Sequence, residues 1–166
     1  RVLDYCAGGG GKSLALADRA RIEVSAHDAA PARMADLPVR AARAGVAIEV
    51  LSGDPVATGP FDLVICDTPC SGSGTWRRSP DAKWRLTPEG LDGYVELQAT
   101  IIDAAAALVG PSGALGYMTC SVLRAENDAQ IARFLQRHPG WRSTAVHRWL
   151  PGLAGDGFFL AVLRPD

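Results

Sequence analysis

The chain has 166 residues, 48% of them apolar and 21% charged, which allows one domain with a substantial core and fits an ordinary globular composition. No apolar run reaches the ~18 residues a membrane-spanning helix needs, and no signal peptide is visible, so a cytoplasmic protein with no membrane partner is expected. The net charge of −1 does not by itself announce a nucleic-acid binder. The sequence opens at Arg1 without an initiator methionine and enters a strand-like segment at once, so it reads as a fragment of a longer protein.

Residues 2–6 read as a buried strand, followed by the glycine run from Gly8 to Gly11 and a helix over residues 12–19. Residues 22–27 are a second strand. Pro31 suits the first residue of a helix that runs to about Ala44 and is stopped by Gly45, with Pro38 kinking or breaking it. Residues 48–52 are a third strand and 61–67 a fourth, whose run Leu63-Val64-Ile65-Cys66 suits a parallel strand covered on both faces. A long loop over 68–87 follows, and a structureless stretch of that length usually carries function. Residues 88–109 read as one helix with apolar positions at Leu91, Tyr94, Val95, Leu97, Ile101, Ile102 and Leu108. Pro111-Ser112-Gly113 reads as a turn, 114–120 as a fifth strand, 125–137 as a helix, and 144–149 and 157–163 as two more strands.

This alternation predicts an α/β fold: an open, mostly parallel sheet with helices on both faces. Ligands bind such sheets at the carboxyl ends of the strands. Cys6 and the glycines follow the first strand, Asp28 the second, Asp54 the third, Asp67 and Cys70 the fourth, and Cys120 the fifth.

Asp4-Tyr5-Cys6-Ala7-Gly8-Gly9-Gly10-Gly11-Lys12-Ser13 joins a strand to a helix. Glycines there let the backbone approach a ligand, and a helix N-terminus favours a polar or anionic group. Asp28 stands where an acid grips ribose hydroxyls, and Asp54 is placed for the adenine side. A phosphate-binding loop would need glycine at position 6, where Cys6 stands, and a dinucleotide fingerprint would end in glycine or alanine, where Ser13 stands. The run therefore points to an adenosine-containing ligand, and S-adenosylmethionine, which has no phosphates, fits it.

The four cysteines are Cys6, Cys66, Cys70 and Cys120. Without a secretory signal, reduced thiols are expected rather than disulfides. Cys66 and Cys70 are the only close pair and no histidine lies near them, so no metal is expected. Cys66 and Cys6 read as structural. Cys70 and Cys120 read as chemical: each follows a strand end among small polar residues near Asp67 or Lys12, and a nearby lysine favours the reactive thiolate. His27, His138 and His147 show no convincing partners and read as structural or surface residues. Methylation of cytosine at carbon 5 explains why two thiols, an acid and a methyl-donor pocket would meet. A thiolate adding to carbon 6 makes carbon 5 nucleophilic, a base later removes the carbon 5 proton, and a buried carboxylic acid such as Asp67 steadies the ring.

The sequence resembles the Sun family of RNA cytosine-5 methyltransferases, and within it the RsmB-like ribosomal RNA enzymes. The resemblance rests on Asp4 to Ser13, on Asp67-Thr68-Pro69-Cys70-Ser71-Gly72-Ser73-Gly74, on Arg78-Ser79-Pro80-Asp81-Ala82-Lys83-Trp84, on Tyr117-Met118-Thr119-Cys120-Ser121-Val122-Leu123, on Glu126-Asn127 and on Gly155-Asp156-Gly157-Phe158-Phe159. It implies a class I methyltransferase, Rossmann-like fold with a seven-stranded, mostly parallel sheet and an antiparallel last strand. It implies one catalytic domain over 1–166, lacking an N-terminal RNA-binding region. Cys120 would be the nucleophile, Cys70 would help release the product, and Lys12 and Asp67 would contact the target cytosine. Cys6, Ala7, Gly8, Gly9, Gly10, Gly11, Lys12, Asp28, Arg33, Asp54 and Asp67 would line the S-adenosylmethionine pocket, which also takes the product S-adenosylhomocysteine.

The family often has Ala-Pro-Gly-Gly-Lys-Thr where this chain has Gly8 to Ser13, and Asp-Ala-Pro-Cys where it has Thr68; both departures keep the reactive groups. Within this frame Trp76, Arg77, Arg78, Lys83 and Trp84 are expected to bind RNA, arginines on phosphates and tryptophans on unpaired bases, with ribosomal RNA the expected partner and a monomer the expected state. The alternatives are a transfer RNA substrate, an RNA-binding module without catalysis, and a nucleotide hydrolase or dehydrogenase, the last disfavoured by Cys6 and Ser13.

Overall fold

The computed structural model describes residues 1–19, 22–153 and 155–166. Strands β1 (Val2–Asp4), β2 (Val24–Ala26), β3 (Glu49–Val50), β4 (Phe61–Asp67), β5 (Val109–Thr119), β6 (Trp141–Trp149) and β7 (Phe158–Pro165) stand in the order β3-β2-β1-β4-β5-β7-β6. β1 pairs in parallel with β2 and β4, and β2 with β3, while β7 runs antiparallel to β6. The expected mostly parallel seven-stranded sheet is therefore present. The chain runs outward from β1 to β3 and returns to β4, so the strand order reverses between β1 and β4, the position at which open α/β sheets form a ligand crevice.

The described residues gather into two compact units. The first is Arg1–Asp67 with Ala105–Leu115. Here Val2, Leu3 and Asp4 of β1 are all buried, as are Val64, Ile65 and Cys66 of β4, the burial on both faces that a central parallel strand requires. Helix α1 (Gly11–Arg19) starts inside the glycine run. The helix expected over 31–44 is two pieces, a 3-10 turn at Pro31–Met34 and α2 (Leu37–Ala44). Pro38 lies in the first turn of α2, where its missing N–H breaks no hydrogen bond. Gly45 ends α2 at φ 69°, donating its N–H to the Ala41 and Ala42 carbonyls. Met34 and Leu37 pack with Ala26 in a buried cluster flanked by Ala7, Leu14 and Ile48.

The second unit is Thr68–Ala104 with Gly116–Asp166. Residues 68–87, expected as a structureless loop, contain a 3-10 turn at Ser73–Thr75 and α3 (Pro80–Arg85), started by a proline whose φ already suits a helix. α4 (Pro88–Ala106) follows, and the Thr87 hydroxyl accepts the Gly90 N–H at 3.1 Å at its start. Its fully buried positions are Gln98, Ile102 and Ala105, a helical stripe spaced i, i+4, i+7 that leaves Leu97, expected inside, exposed. α5 (Asp128–Arg137) begins after turns that Leu123 and Arg124 close with Glu126 and Asn127, later than expected.

Two of the histidines read as lacking partners have them: His138 Nε2 lies 2.9 Å from Asp103 Oδ1 with its ring stacked on Phe134, and His27 Nδ1 lies 3.0 Å from the Tyr5 carbonyl. His147 stacks on Trp149. Among the described residues no helix is long and apolar enough to cross a membrane.

Candidate active site

After β1 the chain turns through Gly8, φ 51°, and Gly10, φ 75°, angles that glycine adopts without strain. A Cβ on Gly10 would sit 2.2 Å from Leu37 Cδ1, so the turn also has no room for a side chain. The Gly8 N–H donates to Asp28 Oδ2 and the Ala30 N–H to Asp28 Oδ1, each at 2.9 Å. Those bonds hold a carboxylate that is only 4% exposed beside the glycine turn. Arg33 Nη1 lies 3.6 Å from the same carboxylate, so three of the residues expected at the cofactor do come together. Asp54 is exposed and caps a 3-10 turn by accepting the Val56 N–H at 2.9 Å.

Beneath the turn, Asp4 is buried and accepts a hydrogen bond from Ser13 Oγ at 2.7 Å, and burial raises its pKa. Burial, followed by the negative charges of Asp28, Asp4 and Asp67, pushes the Cys6 thiol up to about 12. Burial also pushes Cys66 well above the ordinary thiol range. Both therefore remain protonated and unreactive near neutral pH, in keeping with their structural reading. Lys12 Nζ donates to Asp67 Oδ2. The Asp67 side chain is 37% exposed, which corrects the expectation of a buried acid: β4 emerges from the sheet at its last residue, and the carboxylate meets an ammonium group and water.

In the second unit Cys70 and Cys120 place their sulfurs 3.4 Å apart without a disulfide. Proximity to a lysine was expected to favour a thiolate at both. Cys70 goes the other way: its hydrogen bond with Cys120, then burial, then the charges of Cys120 and Glu126 hold its proton well above the ordinary thiol range. Two thiolates at this distance would repel strongly, so ionisation of one thiol opposes ionisation of the other. The loops that carry them are tied together by backbone and side chain. Thr68 N–H donates to the Met118 carbonyl at 3.0 Å and Gly74 N–H to the Cys120 carbonyl at 2.9 Å. Ser73 Oγ lies 2.9 Å from Ser121 Oγ and accepts the Val122 N–H at 2.9 Å.

The residues expected at RNA divide. Trp84 is 82% exposed, with Lys83 Nζ 5.4 Å from its ring centre. Arg77 and Arg78 both reach Asp156, at 3.4 and 2.7 Å, and Trp76 is half-buried with its indole N–H 3.4 Å from the Ser71 carbonyl. The completely buried Glu126 and Gln98, which join the cysteine loops from behind, carried no assigned role in the sequence. The available signals were the Glu126-Asn127 pair within the family resemblance and the small hydroxyl residues beside both cysteines. Among the described residues no group of three or more His, Cys, Asp or Glu is arranged to hold a metal ion.

The sequence model of the 16S rRNA methyltransferase RsmB/F family matches residues 1–164. The ribosomal RNA small subunit methyltransferase B of Klebsiella pneumoniae is 37% identical over 98% of the chain, which spans 41% of that protein's length. Among solved structures, PH0851 superposes with a TM-score of 0.89 at 31% identity, covering 98% of this chain and 42% of that one. NSun6 from Pyrococcus horikoshii, solved with SFG, superposes with a TM-score of 0.85 at 23% identity, covering 99% and 47%, which extends the shared fold. The sheet order is thus that of a class I methyltransferase, and a family match spanning nearly the whole chain, with a relative 37% identical over 98% of it, establishes that the chain belongs to the 16S rRNA methyltransferase RsmB/F family.

Proposed function

We propose that residues 1–166 are the catalytic part of an S-adenosylmethionine-dependent RNA methyltransferase that modifies carbon 5 of a cytosine in ribosomal RNA through a covalent cysteine adduct. The observation that carries this reading is the Cys70–Cys120 pair, two sulfurs held at 3.4 Å in a chain whose relatives methylate ribosomal RNA by name. The first unit fits the methyl donor. Its glycine turn admits no side chain at Gly10, and Asp28, fixed by two backbone N–H groups, is suited to accept from ribose hydroxyls. When bound, the donor supplies an electrophilic sulfonium methyl group.

The protein's own groups do the rest. Cys120, as thiolate, forms a bond to carbon 6, and the displaced π electrons enrich carbon 5, which takes the methyl group. Lys12 donates to the pyrimidine edge, and Asp67, steadied by Lys12, accepts from the exocyclic amino group. The carbon 5 proton must then leave. Cys120 is itself the largest cause holding Cys70 protonated, and conversion of Cys120 to a thioether removes that cause. Cys70 then releases its own proton to solvent more readily and, as thiolate, takes the carbon 5 proton; the C–H electrons restore the ring double bond, and Cys120 leaves as thiolate. Trp84 stacks on an unpaired base, with Trp76, Arg77, Arg78 and Lys83 along the strand.

RNA bearing 5-fluorocytosine at the target tests this, because fluorine does not leave as a proton does. The full-length protein forms an adduct stable to denaturing gels, and Cys120→Ala abolishes it. Cys70→Ala accumulates an adduct on ordinary RNA. An adduct that survives Cys120→Ala and vanishes in Cys70→Ala would reverse the roles, and no adduct with any variant would end the covalent reading.

A further inference from the structure

Glu126 is completely buried and is bonded to both loops that bear the cysteine pair. Ser71, which follows Cys70, donates its N–H to Oε1 at 2.8 Å and its hydroxyl to Oε2 at 2.6 Å. Ser121, which follows Cys120, donates its hydroxyl to the same Oε2. Gln98 Nε2 donates to Oε1 at 3.0 Å and also to the carbonyl of Pro69, the residue before Cys70, at 2.9 Å. Tyr117 fixes the backbone of Glu126 by donating its hydroxyl to the Glu126 carbonyl at 2.7 Å.

A buried carboxylate is costly unless its acceptor sites are filled, and here four neutral donors fill them. Starting α5 requires no such arrangement. Asn127, at its N-terminus, is held separately by the Thr119 hydroxyl at 2.7 Å and the Ser121 carbonyl at 2.8 Å. The donors of Glu126 are the residues that follow the two cysteines, plus the amide that also holds the residue before one of them.

We propose that Glu126 is the positioning residue of the thiol pair: by holding the residue after each cysteine on one rigid carboxylate, it sets the sulfur–sulfur separation of 3.4 Å. This rests on the reaction proposed above for its purpose, but not for its test. The buried negative charge separately opposes ionisation of Cys70, which is why a variant that keeps the charge is needed beside Glu126→Gln.

Dibromobimane reads the separation directly, since each thiolate displaces one bromide and only close pairs join. In the full-length protein the reagent links Cys70 to Cys120, seen by fluorescence and by the mass of the joined peptides. Glu126→Gln turns an amide donor toward the serine hydroxyls, and the linking rate falls about tenfold as the loops part. Ser121→Ala cuts the Cys120 side while leaving the buried charge, and lowers the rate in the same direction. In the methylation assay Glu126→Gln lowers kcat on the order of 100-fold, the loss expected of a displacement near 1 Å, with KM for S-adenosylmethionine unchanged. Wild-type linking rates in both variants overturn the proposal; if Glu126→Gln does not fold, a wild-type rate in Ser121→Ala alone overturns it. A wild-type protein that links its cysteines and methylates no RNA overturns the reaction and leaves the positioning role standing.

Discussion

A thiol beside a nucleotide-type turn attracts attention as a nucleophile, yet Cys6 cannot serve as one near neutral pH, because burial and three carboxylates push it up to about 12. The ordinary thiol value of 9.0 applies once the chain unfolds, and that difference has a sign. Below 9 both states keep the proton and the favourable contribution is complete. Between 9 and 12 the unfolded chain releases a proton the folded chain retains, so stability falls as pH rises. Urea midpoints measured from about pH 8 to 11 should decline less steeply in Cys6→Ala than in wild type, because the other alkaline groups are common to both. Parallel declines would show that Cys6 titrates normally. Residue identity alone revealed part of this: an apolar strand around Cys66 announces a buried thiol. It could not reveal that Cys70 would be held protonated, or that Glu126 would be fully buried, because both depend on partners about 50 residues away in sequence.

At the scale of elements, the glycine turn between β1 and α1 separates conformation from space. Gly10 has positive φ and a Leu37 methyl 2.2 Å from where its Cβ would stand. Gly11 has neither constraint. Gly10→Ala should therefore cost roughly 2–4 kcal/mol, combining backbone strain with overpacking against α2, while Gly11→Ala, at the first residue of α1, should be neutral or slightly stabilising; urea unfolding of both distinguishes them. Equal losses would mean the turn adapts. Local pattern was most legible where chemistry and burial agree, as in β4, whose apolar run gave both ends correctly. It failed where a punctuating residue serves packing instead of a turn. Pro111-Ser112-Gly113 reads as a break, yet β5 runs through it from Val109. A Cβ on Gly113 would lie 2.9 Å from the Phe61 carbonyl, so the glycine marks a close approach of backbone, not the end of a strand. Pro38 was legible as an interruption because no α-helix keeps its hydrogen bonding through an internal proline.

For the molecule as a whole, strand order and charge bear on different questions. The reversal of strand order between β1 and β4 puts the glycine turn and Asp67 at adjacent strand ends within one unit, an arrangement of strand ends that the alternation of segments was enough to anticipate. Charge was less legible. Seventeen lysines and arginines face eighteen acids, and the cluster at 77–85 is largely answered within its own unit: Arg77 and Arg78 by Asp156, and Arg85 by Asp81 at 2.7 Å. On the function proposed above, RNA would have to compete with those carboxylates. At most about four cations are then available to displace counterions from a single strand, so log affinity against log salt should fall with a slope no steeper than about −3. Asp156→Asn removes a competitor for two arginines and should strengthen binding of a labelled RNA severalfold at low salt, with convergence toward wild type as salt rises and screens the added attraction. Fluorescence anisotropy from about 50 to 200 mM salt decides it. A steeper slope would place the RNA contact on basic residues outside this segment, and a weaker-binding Asp156→Asn would mean that the acid serves RNA by holding Arg77 and Arg78 in place rather than by competing for them.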